Sequence, residues 1–107
     1  MCDNPRYILY QSAYDALVAN KADQPKTDSV TIAGKCCESG DLIGENMPIQ
    51  HCEVGDTIAV CATGAYNYSM ASNYNRLQKP AVVFVKGGED RLVVKRESLD
   101  DLVRNDL

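Results

Sequence analysis

The segment Ala81-Val-Val-Phe-Val-Lys-Gly-Gly-Glu-Asp-Arg-Leu-Val-Val-Lys-Arg96 decides the fold class of this chain. Two short runs in it, Ala81 to Lys86 and Arg91 to Arg96, are rich in β-branched and apolar residues, and Gly87-Gly88-Glu89-Asp90 separates them. Two such runs around a glycine-containing loop are typical of a β-hairpin. The segment therefore predicts a mainly β domain.

Outward from the hairpin, further apolar or β-branched runs predict strands, and segments rich in glycine, proline and asparagine predict loops. The predicted strands are Arg6 to Tyr10, Tyr14 to Ala19, Val30 to Ala33 and a buried strand from Thr57 to Ala62; Asp41 to Asp56 is predicted to be mostly loop, and Tyr66 to Ala71 a short helical turn. Ser98 followed by Asp101 is a capping-box pattern that opens a short C-terminal helix. We expect a small β-barrel or β-sandwich with a short C-terminal helix.

The totals exclude several classes of protein. With 107 residues the chain is one domain, and its 11 basic and 15 acidic residues give a net charge of -4 without a basic stripe. Nucleic acid is therefore not an expected partner. No apolar run approaches the roughly 20 residues of a membrane-spanning helix, and the N-terminal residues do not resemble a signal peptide. These features predict a soluble cytoplasmic protein.

Five cysteines are present, two of them adjacent at Cys36 and Cys37. An odd count without a secretion signal indicates reduced thiols rather than a disulfide framework. His51 and Cys52 could join Cys37 and Cys61 in a zinc site, but no CxxC or HxxxH spacing is present. Because structural zinc sites usually have such spacing, no metal is predicted.

Two segments place reactive groups on tight turns. Cys37-Glu38-Ser39-Gly40-Asp41 combines a thiol with a carboxylate, and Gly64-Ala65-Tyr66 adds a phenol. A thiol beside a carboxylate puts a proton donor next to a group that binds cations, and glycine lets the backbone bend sharply enough to present both. The combination predicts chemistry on a charged small molecule, although the chain looks too small to hold a whole active site.

Three ordered segments resemble the C-terminal domain of the diaminopimelate decarboxylase family, which uses pyridoxal 5'-phosphate to convert meso-2,6-diaminopimelate to L-lysine and carbon dioxide. They are Asp3 to Tyr10, Cys37 to Asp41 and Gly64 to Asn75. The resemblance implies that residues 1–107 are the β-rich domain that follows a (β/α)8 barrel. It also implies that the barrel, with its Schiff-base lysine, is absent from this chain, so the isolated chain is expected to be inactive.

The resemblance also implies a role for five residues. Arg6 is a planar bidentate donor suited to the distal carboxylate of the substrate, and Tyr10, four residues along the predicted strand, adds a hydroxyl. Glu38 is expected to bind the distal ammonium, and Tyr66 to contact cofactor and substrate. Cys37 matches the cysteine that donates a proton after carbon dioxide leaves, and a thiol with an ordinary pKa of about 8.5 is mostly protonated at neutral pH.

In the family, two subunits of a homodimer build each active site, and the Cys37 to Asp41 block reaches the barrel of the partner. Ser39 and Asp41 are then expected to hold the turn by local hydrogen bonds. Without the motif, Cys37 would be interpreted as a small buried apolar residue and Glu38 as a surface charge.

Two alternative functions stay open. One is a related decarboxylase for ornithine, arginine or carboxynorspermidine, although the arginine at Arg6 favours a substrate with a distal carboxylate. The other is a non-catalytic dimerisation module, in which Arg6, Tyr10 and Glu38 could be replaced without a catalytic defect.

Overall fold

The computed structural model describes residues 6–107 of the chain. Cys2 and the beginning of the segment from Asp3 to Tyr10 lie outside the described residues. The helices are α1 (Arg6–Tyr10), α2 (Gly64–Ser69) and α3 (Leu99–Val103), with 3₁₀ turns at Ala19–Lys21 and Tyr74–Arg76. The strands are β1 (Ala16–Val18), β2 (Asp28–Ala33), β3 (Leu42–Ile49), β4 (Ile58–Val60), β5 (Val82–Lys86) and β6 (Glu89–Val94).

The strands pair in three antiparallel two-stranded sheets, β1 with β4, β2 with β3, and β5 with β6. The domain is therefore mainly β with a short C-terminal helix, which confirms the coarse prediction. Within residues 6–107 these sheets do not close into a barrel. None of the described helices has the length and apolar character needed to cross a membrane.

The core lies between β1 and β3. Its buried apolar residues come from these two strands: Ala16, Val18, Ile43, Met47 and Ile49. The buried side chain of Gln50 bonds to β1, because its Oε1 accepts the N–H of Val18 at 2.9 Å. Its Nε2 donates to the carbonyl of Gln24 at 3.3 Å. A buried amide bonded on both sides stabilises the packing without leaving an unpaired polar group.

The prediction that Asp41 to Asp56 is mostly loop is wrong for the residues that form β3, Leu42–Ile49. Gly44, Asn46 and Pro48 resemble turn residues, yet all three lie in this strand. Val30 pairs with Met47 and Ile32 pairs with Gly44, so two residue steps along β2 lie opposite three steps along β3. The extra residue forms a bulge in β3. Asn46, within this bulge, has a left-handed φ of 52°. A bulge accommodates one such residue, and proline is tolerated on the edge of a sheet. The predicted turn at Glu53 to Asp56 is present.

The predicted strand from Arg6 to Tyr10 is also wrong, because these residues form the helix α1. Apart from Arg6 the run is aliphatic and aromatic, and such a short run does not distinguish helix from strand. The Tyr7 hydroxyl donates to Glu45 Oε2 of β3 at 3.1 Å, and this bond raises the pKa of Tyr7. Gln11, with a φ of 51°, ends the helix. Tertiary contact with β3 therefore outweighs the weak β propensity of the run.

The strands predicted on either side of the core are present but shorter. The predicted strand from Tyr14 to Ala19 is β1 followed by a 3₁₀ turn, and the one from Thr57 to Ala62 is β4. The predicted burial of this second strand is wrong, since Ile58 is exposed. Among the described residues β4 pairs only with β1, so its outer edge and part of its face have no cover.

The predicted C-terminal hairpin and helix are confirmed, but β6 begins at Glu89 inside the predicted loop and ends at Val94 rather than Arg96. Gly87 and Gly88 have φ values of 62° and 82°, the two positive values that a tight hairpin turn requires. Ser98 Oγ accepts the N–H of Asp101 at 3.1 Å, and the Asp101 carboxylate accepts the N–H of Ser98 at 2.8 Å. This reciprocal capping box opens α3. The hairpin is less protected than its sequence suggests, because most of its apolar side chains are exposed.

Candidate functional site

The segment Cys37 to Asp41 forms a tight turn between β2 and β3. The N–H of Asp41 donates to the carbonyl of Glu38 at 3.0 Å, and the N–H of Gly34 donates to the carbonyl of Asp41 at 2.8 Å. The first bond closes the turn and the second closes its base. The turn therefore presents its side chains from a hydrogen-bonded frame rather than from a loose loop.

The carboxylate of Asp41 supports this frame from inside. Asp41 is only 3% exposed, and its Oδ2 accepts the N–H of Cys36 at 3.1 Å. A Cβ atom on Gly34 would lie 1.8 Å from the same oxygen, so only glycine leaves room for this carboxylate. These contacts support the structural role expected for Asp41.

Cys37 lies at the outer part of the turn with an exposed side chain. Its backbone is held by a distant segment, because its N–H donates to Asn75 Oδ1 at 2.7 Å and its carbonyl accepts the Tyr74 hydroxyl at 2.9 Å. The buried small-residue interpretation of Cys37 is therefore wrong. The thiol is accessible, and the backbone that positions it is bonded on both sides.

Glu38 is exposed beside this thiol. Its Oε1 accepts the N–H of Gly40 at 2.9 Å, which orients the carboxylate over the turn. A carboxylate held in this way can accept further hydrogen bonds, since each oxygen has two lone pairs. The structure therefore places a thiol and a carboxylate on neighbouring residues of one turn.

Arg6, Tyr10 and Tyr66 form a second group. The Arg6 guanidinium carbon lies 3.8 Å from the centre of the Tyr66 ring and 5.2 Å from the centre of the Tyr10 ring. Arg6 and Tyr10 share a face because they are one helical turn apart, not because they alternate along a strand. Both tyrosines are more than half exposed. Cation–π contacts between groups within 6 Å orient the guanidinium.

The segment Gly64 to Asn75 contacts both groups. At its beginning, α2 brings Tyr66 onto Arg6, and at its end Tyr74 and Asn75 bond the backbone of Cys37. The sequence does not predict the contacts of Tyr74 and Asn75 with Cys37. The only signal was their position in the third segment of the family resemblance, and neither residue is adjacent to a reactive side chain in sequence.

No three histidine, cysteine, aspartate or glutamate side chains within residues 6–107 come together to form a metal site. The cysteines in this part of the chain are all free thiols: Cys36, Cys37, Cys52 and Cys61. His51 is exposed, and its Nδ1 lies 2.8 Å from Asp28 Oδ2. This contact lowers the pKa of Asp28 and lies away from the turn of Cys37.

Comparison with known proteins gives a consistent result. Over its whole length this chain is 52% identical to diaminopimelate decarboxylase of Bacillus subtilis, and over 99% of its length it is 51% identical to that of Synechocystis. Among solved structures, it is similar to diaminopimelate decarboxylase from M. jannaschii in complex with L-lysine, with a TM-score of 0.84, 33% identity and full coverage of this chain. It covers 24% of that structure's chain.

The chain spans about a quarter of the length of these relatives. Residues 1–64 match the model of the family described as pyridoxal-dependent decarboxylase, C-terminal sheet domain. This match covers more than half of the chain and includes Arg6, Tyr10 and the whole turn of Cys37. The chain therefore belongs to the family of C-terminal sheet domains of pyridoxal-dependent decarboxylases.

Proposed function

We propose that this chain is the sheet domain of a diaminopimelate decarboxylase, an enzyme that removes one carboxyl group of meso-2,6-diaminopimelate as carbon dioxide and yields L-lysine. The observation that carries the proposal is the double contact of the segment Gly64 to Asn75, which packs Tyr66 on Arg6 and bonds the backbone of Cys37. One segment thus supports both a carboxylate-binding group and a proton donor. The relatives described above are all named diaminopimelate decarboxylase.

Arg6 binds the distal carboxylate of the substrate in this proposal. A guanidinium against an aromatic face keeps its N–H donors along its edge, in the fork that matches a carboxylate. The Tyr66 ring orients this fork, and the exposed hydroxyl of Tyr10 supplies a further donor on the same helical face. A substrate that ends in a cation alone would gain nothing from this arrangement.

Glu38 binds the distal ammonium. Its bond to the N–H of Gly40 orients the carboxylate beside the thiol of Cys37. A carboxylate and a guanidinium recognise the two charged parts of one amino-acid group, which separates diaminopimelate from substrates that have only an amine at that end. This pairing favours diaminopimelate over ornithine, arginine and carboxynorspermidine.

Pyridoxal 5'-phosphate is the cofactor that the family description implies. Bound pyridoxal phosphate supplies the electron sink for breaking the bond to the departing carboxylate. The donor set of this chain fits one edge of such a group, because the exposed phenol of Tyr66 can donate to an anion and the cation on its ring favours negative charge. The lysine that holds the cofactor is proposed to lie in the barrel domain.

Cys37 donates the proton that replaces the lost carboxyl group. The Sγ atom lies on an exposed side chain at the outer part of the turn, where a ligand on another surface can reach it. A positioned general acid of this kind typically accelerates a reaction by about 100-fold to 10,000-fold. The acid needs the substrate to be held by other groups, since this chain offers only one side of a site.

The other side is proposed to be the barrel domain of the same or the partner subunit in a homodimer. The β5–β6 hairpin supports this, because Phe84 is 60% and Val85 77% exposed together with neighbouring apolar residues. An apolar face of this kind marks a surface that another structure covers. Added strands that cover the hairpin and the free edge of β4 would complete a small β-barrel or sandwich.

The free thiols also bear on location. None of the four cysteines within residues 6–107 forms a disulfide, and two of them are exposed. Thiols of this kind persist in a reducing compartment. We therefore place the enzyme in the cytoplasm.

A substrate assay tests the proposed function. The complete enzyme, meaning this chain together with its barrel domain, fused or added as a separate polypeptide, is supplied with pyridoxal phosphate and either meso-diaminopimelate or ornithine. We expect lysine and carbon dioxide from the first substrate and no product from the second, and we expect this chain alone to be inactive.

Two outcomes of this assay contradict the proposal. Decarboxylation of ornithine without lysine formation would assign the chain to a related decarboxylase. An unchanged rate after simultaneous replacement of Arg6, Tyr10 and Glu38 would support a dimerisation module instead. The matched control replaces Arg104 and Glu53, which are exposed residues of the same types outside both the proposed site and the β5–β6 hairpin.

A further inference from the structure

The backbone of Cys37 is bonded by two consecutive residues of one distant 3₁₀ turn. The Asn75 side chain accepts the Cys37 N–H at 2.7 Å, and the Tyr74 hydroxyl donates to the Cys37 carbonyl at 2.9 Å. These are short, direct bonds to an exposed residue whose polar groups water could have satisfied instead. Because neighbouring residues bond the N–H and the carbonyl of Cys37, the peptide units on both sides of its Cα atom are held in place.

This 3₁₀ turn is itself restrained. Asn75 and Arg76 both have left-handed φ values, 55° and 54°, which are uncommon for residues other than glycine. The Asn73 side chain donates to Glu97 Oε2 at 2.6 Å, and the same oxygen accepts the N–H of Lys79 at 2.8 Å. These bonds connect the turn to the residues before α3. A strained conformation of this kind persists where the surrounding contacts over-determine it.

We propose that Asn75 and Tyr74 are positioning residues that fix the direction of the Cys37 thiol. The direction of the Cα–Cβ bond follows from the positions of the backbone N, Cα and C atoms, so two bonds to the Cys37 backbone set where its side chain starts. This inference rests on the proposed function, in which Cys37 Sγ delivers a proton. Asn75 and Tyr74 act through Cys37 and need no contact with the substrate.

Positioning has a kinetic signature. Misplacement of a reacting group by about 1 Å can reduce a rate by roughly 100-fold even when binding is intact. Removal of the bond from Asn75 is therefore expected to reduce kcat and to leave KM nearly unchanged, since Arg6 and Glu38 still bind the substrate. A residue that only stabilises the fold would reduce the amount of folded enzyme without this split.

Three substitutions separate the bonds from the fold. Asn75→Gly removes the acceptor but tolerates the left-handed φ, so it does not add backbone strain. Asn75→Asp keeps an acceptor oxygen at the same place. Tyr74→Phe removes only the hydroxyl that bonds the Cys37 carbonyl. All three are made in the complete enzyme, and kcat, KM and hydrogen exchange of the Cys37 amide are measured, the exchange in enzyme without cofactor.

We expect Asn75→Gly to lower kcat by roughly 10-fold to 100-fold, to leave KM within about twofold, and to speed exchange of the Cys37 amide. Tyr74→Phe should lower kcat by a smaller factor. Asn75→Asp should retain slow exchange. An unchanged exchange rate in Asn75→Gly would overturn the inference, as would faster exchange combined with a normal kcat.

A Cys37→Ala background decides whether Asn75 acts through the thiol. If it does, Asn75→Gly lowers the residual kcat of Cys37→Ala no further, because the group that it positions is gone. The same loss in both backgrounds would overturn this inference but not the proposed role of Cys37. A normal kcat for Cys37→Ala would instead overturn the proposed role of Cys37, and the inference with it, so the two failures are distinguishable.

Discussion

Replacing Cys37 by alanine lowers kcat of the complete enzyme by about 100-fold to 10,000-fold, the usual contribution of a positioned general acid. The thiol is exposed on a turn whose backbone is bonded at both its N–H and its carbonyl, so alanine leaves the frame intact and removes only the proton donor. KM should change little, because Arg6 and Glu38 are the residues proposed to bind the distal group of the substrate. Release of carbon dioxide and formation of lysine are measured together with the solvent isotope effect.

Cys61 provides the control for this substitution. It is the other exposed cysteine of the described residues, and Cys61→Ala should leave kcat within about twofold of the parent enzyme. A normal kcat for Cys37→Ala would contradict the assignment of the proton donor. Equal losses in the two alanine variants would also contradict it, since they would indicate a general effect of removing an exposed thiol.

Replacing Arg6 by methionine lowers kcat/KM for meso-diaminopimelate by roughly 30-fold to 4,000-fold, because loss of one partner from a desolvated charge pair costs about 2–5 kcal/mol. Methionine is similar in length and can still pack on the ring of Tyr66, whereas it has no donors for a carboxylate. Arg6→Lys keeps the charge without the planar fork and should give an intermediate loss. Steady-state kinetics of the three proteins give this order.

An analogue tests whether the loss concerns the distal carboxylate. The diamine 1,5-diaminopentane, which keeps both ammonium groups of the substrate and has no carboxylate, is used as a competitive inhibitor. Its inhibition constant should be the same for the parent enzyme and for Arg6→Met. An equal weakening of the analogue and the substrate would contradict the role of Arg6 and would indicate that the substitution disturbs the site as a whole.

The parts of the fold that the sequence predicts well are those decided by local chemistry. Gly87 and Gly88 supply two positive φ values at no steric cost, so the hairpin follows from the residues themselves. Ser98 and Asp101 satisfy each other's backbone N–H groups, so the start of α3 is equally local. Neither element depends on what the rest of the chain does.

The parts that were wrong depend on tertiary contacts. Gly44, Asn46 and Pro48 are typical of a loop, but pairing with β2 and a bulge keep them in β3. The run from Arg6 to Tyr10 is too short for its pattern to distinguish helix from strand, and its packing on β3 decides. Propensity is a weak guide wherever a neighbouring strand completes the hydrogen bonds.

For the candidate site, too, local features are predictable from the sequence and long-range contacts are not. The adjacency of Cys37 and Glu38 is visible in the sequence, and the pairing of Arg6 with Tyr10 survives the change from strand to helix because residues four apart share a face in both. The contacts of Asn75 and Tyr74 with Cys37 join residues 38 and 37 positions apart. No local pattern indicates a contact over that separation, so these two contacts are visible only in the structure.

The central claim is that Arg6 and Glu38 bind the distal amino-acid group beside Cys37. A crystal structure of the complete enzyme with pyridoxal phosphate and L-lysine tests it most directly, because the product retains that group. We expect the lysine carboxylate on the Arg6 guanidinium, its α-ammonium on Glu38, and Cys37 Sγ facing the carbon that lost its carboxyl group. A lysine whose carboxylate and α-ammonium are both held by barrel residues, with Arg6 and Glu38 facing solvent, would contradict the account.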